Sequence, residues 1–374
     1  MKRMRTILMT CDAVGGVWTY ALNLARAFEE SDLVRVVLAV LGPLPNASQR
    51  AAARSIRGLD LFALECRLEW MDDPWADVER SGEWLLDLEK RIRPDVIHLN
   101  MYAHGSLPFC APVMTVAHSC VASWWSAVKK ESLPARYRIY RDEVRAALAS
   151  VRAVVAPTRA MLDAVQTFYG ETAHGLVIHN GAPPWPSPKL PKAPAVLSLG
   201  RIWDEAKNIE ALSAVAHRIP WPIYVAGSPA HPDGTDRVPH GVRALGWLGR
   251  EALAGCLGRA SIYAHPARYE PFGLAPLEAA HAGCALVLGD ISSLREIWGD
   301  AALYVPPEDH DALAAAIRAL IDDPALRVRM SERARFRARR FPSSAQARAY
   351  LNLYDRLMAP RLAIRRNAAV SLDY

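Results

Sequence analysis

A chain of 374 residues, 51% apolar and 22% charged, is too long for one small core and too apolar to stay disordered, so two globular domains of ordinary size are expected. No run approaches the roughly 20 apolar residues of a bilayer-spanning helix, and the stretch between Arg5 and Asp12 is too short for a signal-peptide core. The net charge of +6 is uneven: from Pro324 onward 12 arginines face only Glu332, Asp355 and Asp373, a balance of +9 that leaves −3 for the rest.

A basic tail can hold an anionic surface or substrate, or it can be the solvated face of terminal helices. A nucleic-acid partner is not expected, because no binding motif or aromatic and basic interleaving accompanies the arginines. Cys11, Cys66, Cys110, Cys120, Cys256 and Cys284 show neither a Cys-x-x-Cys pair nor metal-ligand spacing. They read as small buried hydrophobes in a reducing, cytoplasmic compartment.

Short β-type runs alternate with helical patterns, which predicts a parallel α/β architecture. In the first half the runs fall at 5–11, 34–41, 61–64, 96–99, 113–117 and 153–156. The first ends in Asp12-Ala13-Val14-Gly15-Gly16, and an amphipathic helix follows through Phe28. Two glycines at such a turn let a ligand approach the backbone, although a plain tight turn uses them too. The run at 113–117 terminates in His118. A lone histidine is usually structural, but that sheet edge carries the ligands in open α/β folds.

Beyond it, Trp124-Trp125 precede Lys129, Lys130, Arg136, Arg138, Arg141 and Arg145. Such a segment can rest on an anionic membrane surface, line an acceptor pocket, or pack beneath a loop. From 183 to 194 six prolines in twelve residues exclude regular structure and mark the boundary between domains at 1–182 and 195–341, with a terminal helix and basic tail at 342–374.

The second series of strands is predicted at 195–200, 223–226, 243–246, 261–264, 285–288 and 303–305. After its first member, Gly200-Arg201 and Lys207-Asn208 set an arginine and a lysine around a helix start, where two cations can meet one anion. Trp247, after the run at 243–246, either stacks on a ligand or fills core. The run at 261–264 leads into Tyr269-Glu270-Pro271-Phe272-Gly273-Leu274, with Pro276 and Glu278 beyond. Gly273 marks the bend, and Pro276 is tolerated in a first helical turn. A helix start is a seat for phosphate, and carboxylates flanking it suit hydroxyl groups on either side of the anion. Asp309-His310-Asp311 opens an alanine-rich helix and reads as a cap rather than a metal site.

The pair Glu270 and Glu278 around Phe272-Gly273-Leu274 resembles the donor-binding signature of family 4 glycosyltransferases. Gly15-Gly16, His118, and Arg201 with Lys207 match other parts of that family in order, over nearly the whole chain. Two departures are His179 for the proline of a Pro-Asn-Gly hinge, and Cys284-Ala285 in a Gly-x-Pro-Val segment.

The resemblance implies a GT-B fold, two Rossmann-like domains facing across a cleft, with the terminal helix crossing back to the first. It implies a retaining, nucleotide-sugar-dependent hexosyltransferase of glycan biosynthesis, needing no metal or other cofactor. Arg201 and Lys207 would hold the diphosphate, Glu270 the sugar hydroxyls, Glu278 the ribose, and His118 the sugar near the reaction centre. Gly15, Gly16, Phe272, Gly273 and Leu274 would border the donor. The partners implied are a nucleotide sugar and an acceptor glycan, lipid or small molecule, with peripheral membrane contact at the inner face as a further expectation. The rivals are a non-catalytic sugar-nucleotide binding protein and another GT-B enzyme, a phosphorylase or epimerase. A glycosidase does not call for the basic pair or the Gly-Gly loop.

Overall fold

The structure, a computed structural model, describes residues 4–29, 33–172, 174–183, 190–228 and 240–359. Most of the proline-rich stretch and the end of the basic tail lie outside the described residues. The strands are β1 (Arg5–Cys11), β2 (Val34–Gly42), β3 (Leu59–Glu65), β4 (Val96–Leu99), β5 (Val113–Val116), β6 (Ala153–Ala156) and β7 (Gly175–Val177), then β8 (Ala193–Leu199), β9 (Ile223–Ala226), β10 (Arg243–Gly246), β11 (Ala260–His265), β12 (Ala285–Gly289) and β13 (Leu303–Val305). The helices are α1 (Gly16–Glu29), α2 (Ala47–Arg54), α3 (Trp75–Ile92), α4 (Val121–Lys129), α5 (Arg138–Ser150) and α6 (Arg159–Tyr169) in the first half. In the second they are α7 (Ile209–Val215), α8 (Arg250–Arg259), α9 (Leu274–His281), α10 (Ser292–Trp298), α11 (His310–Asp322), α12 (Pro324–Ala338) and α13 (Ser343–Met358).

β1 to β7 form one sheet in the order β3-β2-β1-β4-β5-β6-β7, and β8 to β13 a second in the order β10-β9-β8-β11-β12-β13. Every strand pair is parallel, and β1 runs beside β2 in unbroken register from Arg5 and Val34 to Cys11 and Val40. Parallel sheets are covered on both faces, so their strands read as continuous apolar runs.

Alternation within the runs sorts the layers. Ile7, Met9 and Cys11 join the core beneath α1, whereas Leu8 faces the cluster of Leu85 and Leu88 on α3. In the second sheet Leu197, Tyr263 and Leu286 point to one face, and Val196, Ile262 and Ala285 to the other. The short edge strand β7 went unpredicted, because three half-buried residues carry no readable period.

Two connections join the domains side by side. The Ala182 N–H reaches the Phe341 carbonyl at 3.2 Å, and the Ser343 N–H returns to the Ala182 carbonyl at 3.1 Å. A Cβ at Gly181 would lie 2.7 Å from the backbone of Pro342, so only glycine permits the crossing. His179, standing where a proline was expected, donates from Nδ1 to the Pro157 carbonyl at 2.8 Å and packs edge-on against Phe341. After the crossing, α13 buries Tyr350, Leu353, Tyr354 and Leu357 in the core that holds Trp18, Leu24 and Phe28 of α1. That burial anchors the terminal helix to the first domain.

All six cysteines are free thiols, but only Cys11, Cys120 and Cys284 are buried. Cys66 and Cys256 are half-buried and Cys110 is exposed, which corrects the reading of all six as core. Cys110 has apolar sequence neighbours, yet it lies in the loop between β4 and β5 rather than in a strand.

Candidate active site

The C-terminal ends of the two sheets meet, and the predicted residues gather there. The glycine loop after β1 faces the loop after β8: a Cβ at Gly15 would stand 3.1 Å from Nη1 of Arg201. Gly16 opens α1, is exposed, and has nothing within 4 Å of its would-be Cβ. The bend is shaped by Asp12, whose Oδ1 accepts the Val14 N–H at 2.8 Å. Burial raises the Asp12 carboxyl, and the Val14 N–H and Arg201 across the cleft oppose that rise.

Arg201 donates from Nη2 to Asp204 at 2.6 Å, and its guanidinium lies 5.1 Å from the Trp203 ring centroid. Burial would raise the Asp204 carboxyl, but Arg201 and Lys207 outweigh it and hold the group charged. Lys207 ends the 3-10 turn Glu205–Lys207, and its Nζ lies 2.7 Å from Glu270 Oε2. Each cation therefore already holds a carboxylate.

Glu270 follows β11 by five residues and accepts a second hydrogen bond on Oε2, from His265 Nε2 at 3.2 Å. Burial alone would raise the Glu270 carboxyl; Lys207 and His265 reverse the effect and keep it well below the usual carboxylate range. His265 is fully buried, and burial lowers its own affinity for a proton despite the neighbouring carboxylate. A neutral ring donating from Nε2 is the arrangement that follows.

Gly273 caps α9 with φ of 91°, a left-handed conformation suited to glycine. Glu278 sits one turn further in, 9% exposed, and burial pushes its carboxyl up to about 8, with Arg250 pulling the other way. The two glutamates thus differ in charge although both face the same region. The buried Tyr263 hydroxyl lies within electrostatic reach of both.

The expected roles of Phe272 and Leu274 need correction at the side chain. Phe272 is 2% exposed and packs edge-on against Phe341 at the crossing. Leu274 is half-buried between the cores of both domains. Any contact from 272–274 to a ligand is left to the backbone N–H groups that a helix start leaves free.

His118 lies on the opposite wall. Asn100 donates from Nδ2 to the Thr10 carbonyl at 2.7 Å, which turns Oδ1 toward His118 Nε2, also at 2.7 Å. A carbonyl oxygen only accepts, so Nε2 carries the proton. Burial lowers the ring to about 3, so it is neutral and Nδ1 is an acceptor. Tyr20 packs edge-on at 4.4 Å and fixes the ring plane.

Asp12, Tyr20, Asn100, Asp204, His265 and Tyr269 escaped the sequence reading. Asp12, Asp204, His265 and Tyr269 stood inside the stretches singled out, but nothing in their spacing marked them. Trp125 packs against Tyr137 with Arg136 5.4 Å from its ring centroid. Lys129 and Lys130 pair across the cleft with Glu205 at 2.7 Å and Glu308 at 3.8 Å. Trp247 is 63% exposed at the end of β10, outside the core.

Among the described residues no three His, Cys, Asp or Glu side chains are grouped to hold a metal ion. Asp309 caps α11 through the Ala312 N–H at 2.8 Å, and Asp311 pairs with Arg218 at 2.6 Å. No helix among the described residues is long and apolar enough to cross a membrane.

Comparison with known proteins agrees with this arrangement. Residues 14–184 match the family model described as Glycosyltransferase Family 4, and residues 184–337 match Glycosyl transferases group 1. A glycogen synthase of Mycobacterium tuberculosis is 30% identical over 276 residues, 67% of this chain and 66% of that protein. A phosphatidyl-myo-inositol mannosyltransferase of Mycolicibacterium smegmatis is 29% identical over 135 residues, 35% of each chain.

Sucrose-phosphate synthase from Thermosynechococcus elongatus shares the fold with a TM-score of 0.77 at 19% identity, covering 94% of this chain and 99% of that one. Anabaena HepE, solved in complex with UDP-glucose, shares it with a TM-score of 0.74 at 14% identity, covering 94% and 100%. With two parallel-sheet domains meeting at their strand ends and family matches over both halves, this chain belongs to the GT-B glycosyltransferases, family 4 in its first domain and group 1 in its second.

Proposed function

We propose that this protein is a retaining transferase moving a hexosyl group from a nucleoside diphosphate sugar to a glycan, lipid-linked or small-molecule acceptor, without a metal ion. The observation that carries the reading is the convergence of Arg201, Lys207 and the N-terminus of α9 on the end of the second sheet, with Gly15 opposite. Breaking a glycosyl–phosphate bond builds negative charge on the departing diphosphate. Fixed cations and free N–H groups stabilise that charge without reorganising.

In this scheme the anion takes Arg201 and Lys207 into its own contacts, drawing them away from full neutralisation by Asp204 and Glu270. Both hydrogen bonds to Glu270 fall on Oε2, so Oε1 remains to accept from a sugar hydroxyl. Glu278 accepts from the ribose diol, and His118 Nδ1 accepts from a sugar hydroxyl on the facing wall. HepE was solved with UDP-glucose, so that sugar nucleotide is the first donor to try.

The test is release of nucleoside diphosphate from a panel of uridine, guanosine and adenosine diphosphate sugars, with and without chelator. Release from one donor that survives chelation and is lost in Glu270→Ala and Lys207→Ala supports the reading. Chelator-sensitive release refutes metal independence, and absence of donor binding refutes the site.

A further inference from the structure

Glu270 is bracketed by two residues that bind the opposite domain. Tyr269, just before it, packs against the first domain's core cluster of Tyr102, Cys120, Tyr140 and Tyr169. Its hydroxyl receives the Cys120 backbone N–H at 3.3 Å and shares a hydrogen bond with Ser123 Oγ at 2.8 Å. Pro271, just after it, accepts from Thr158 Oγ1 at 2.9 Å.

On the donor side, the Arg268 and Tyr269 N–H groups point to the Ala206 carbonyl at 2.9 and 3.4 Å, next to Lys207. Ser293 Oγ holds the Glu270 carbonyl at 2.5 Å. Cys120, in turn, is two residues beyond His118 and is the N-cap of α4.

We propose that Tyr269 is a positioning residue whose hydroxyl, bonded at the start of α4, sets the distance across the cleft between His118 and the Glu270–Lys207 pair. The inference rests on the transferase reading above, since it assigns a purpose to that span. A tyrosine serving only as an apolar anchor would need no hydroxyl. Here the hydroxyl meets three groups of the opposite domain, the third being Met161 Sδ at 3.5 Å, and its backbone is tied to the turn that carries Lys207. An error of about 1 Å in reacting geometry costs on the order of 100-fold in rate.

Tyr269→Phe keeps the ring in its cluster and removes only the hydroxyl. The expected result is kcat lowered roughly 10- to 100-fold with donor Kd changed less than about threefold, a loss confined to the chemical step. Ser123→Ala, which removes the bond to Tyr269 together with Ser123's own bonds to Cys120, should act in the same direction and combine less than additively with Tyr269→Phe, because the two variants share the Tyr269–Ser123 bond.

Hydrogen exchange at the Cys120 amide supplies a readout that needs no turnover and should accelerate in Tyr269→Phe. Unchanged kcat in Tyr269→Phe, or a donor Kd weakened as much as kcat, overturns the positioning role. Unchanged Cys120 exchange overturns the bond itself. If exchange accelerates but the wild type binds no donor in the panel, the transferase reading falls while the cross-domain contact stands.

Discussion

Lys207 and Glu270 lie 63 positions apart in the chain and form an ion pair of 2.7 Å between side chains only 17% and 14% exposed. Each is the other's compensation in a poorly hydrated site. A seat built this way is charged before any ligand arrives, yet carries little net charge.

Removing one partner leaves the other buried and uncompensated. Lys207→Ala should lower stability by roughly 2–4 kcal/mol, at the low end of the range for buried pairs because the cleft admits some water. Lys207→Met combined with Glu270→Gln should recover most of that loss without recovering turnover. Thermal unfolding beside diphosphate release checks both; full destabilisation persisting in the double variant would show that the pair is not the cause. In the wild type Glu270 is held well below its ordinary value of 4.5, so its stabilising contribution is complete above that pH and is lost as pH falls toward the folded-state value.

Glu278 should behave in the opposite sense. Its carboxyl is raised from 4.5 to about 8, so the folded chain keeps a proton that the unfolded chain releases. Stability linked to this group is full below pH 4.5 and declines up to about pH 8. Glu278→Gln has no such window: it should melt at a higher temperature than the wild type at pH 8 and approach it at pH 4.5. On the proposed reading the same variant also exchanges a neutral, protonated carboxyl for an amide at the ribose, so donor binding should weaken only about 2- to 10-fold. Melting curves across pH and donor titration calorimetry test the two halves separately.

The His118 ring, lowered to about 3, carries no charge between pH 5 and 8. It should therefore contribute no limb to a pH–rate profile in that range. Proton NMR showing the ring titrating near 6.5 would refute the neutral assignment. Asn100→Leu removes the acceptor that fixes the ring, and one hydrogen bond of about 1 kcal/mol predicts a fall in kcat of about fivefold. No change in kcat would mean that Tyr20 packing alone orients the ring.

Much of the architecture is local physics. The strand runs around Ile7-Leu8-Met9, Val96-Ile97, Val154-Val155 and Val287-Leu288 announce themselves because a parallel strand covered on both faces must be apolar throughout. Gly273 and Pro276 mark the start of α9 because turn geometry and a missing N–H each select a residue type within a few positions.

The sequence by itself determined two parallel α/β units, the breaks between most of their elements, and the placing of His118, Arg201 and Glu270 beyond strand ends. It carried no sign that Phe272 turns into the crossing beside Phe341, or that Cys110 is exposed while Cys120 is buried. Only the tertiary structure decided that Lys207 neutralises Glu270, that Asn100 fixes the proton on His118, and that Tyr269 reaches Ser123 in the other domain. Those are contacts between segments 18 to 146 residues apart. Their existence depends on how two sheets and a returning helix pack, and side-chain type or spacing along the chain does not encode that distance.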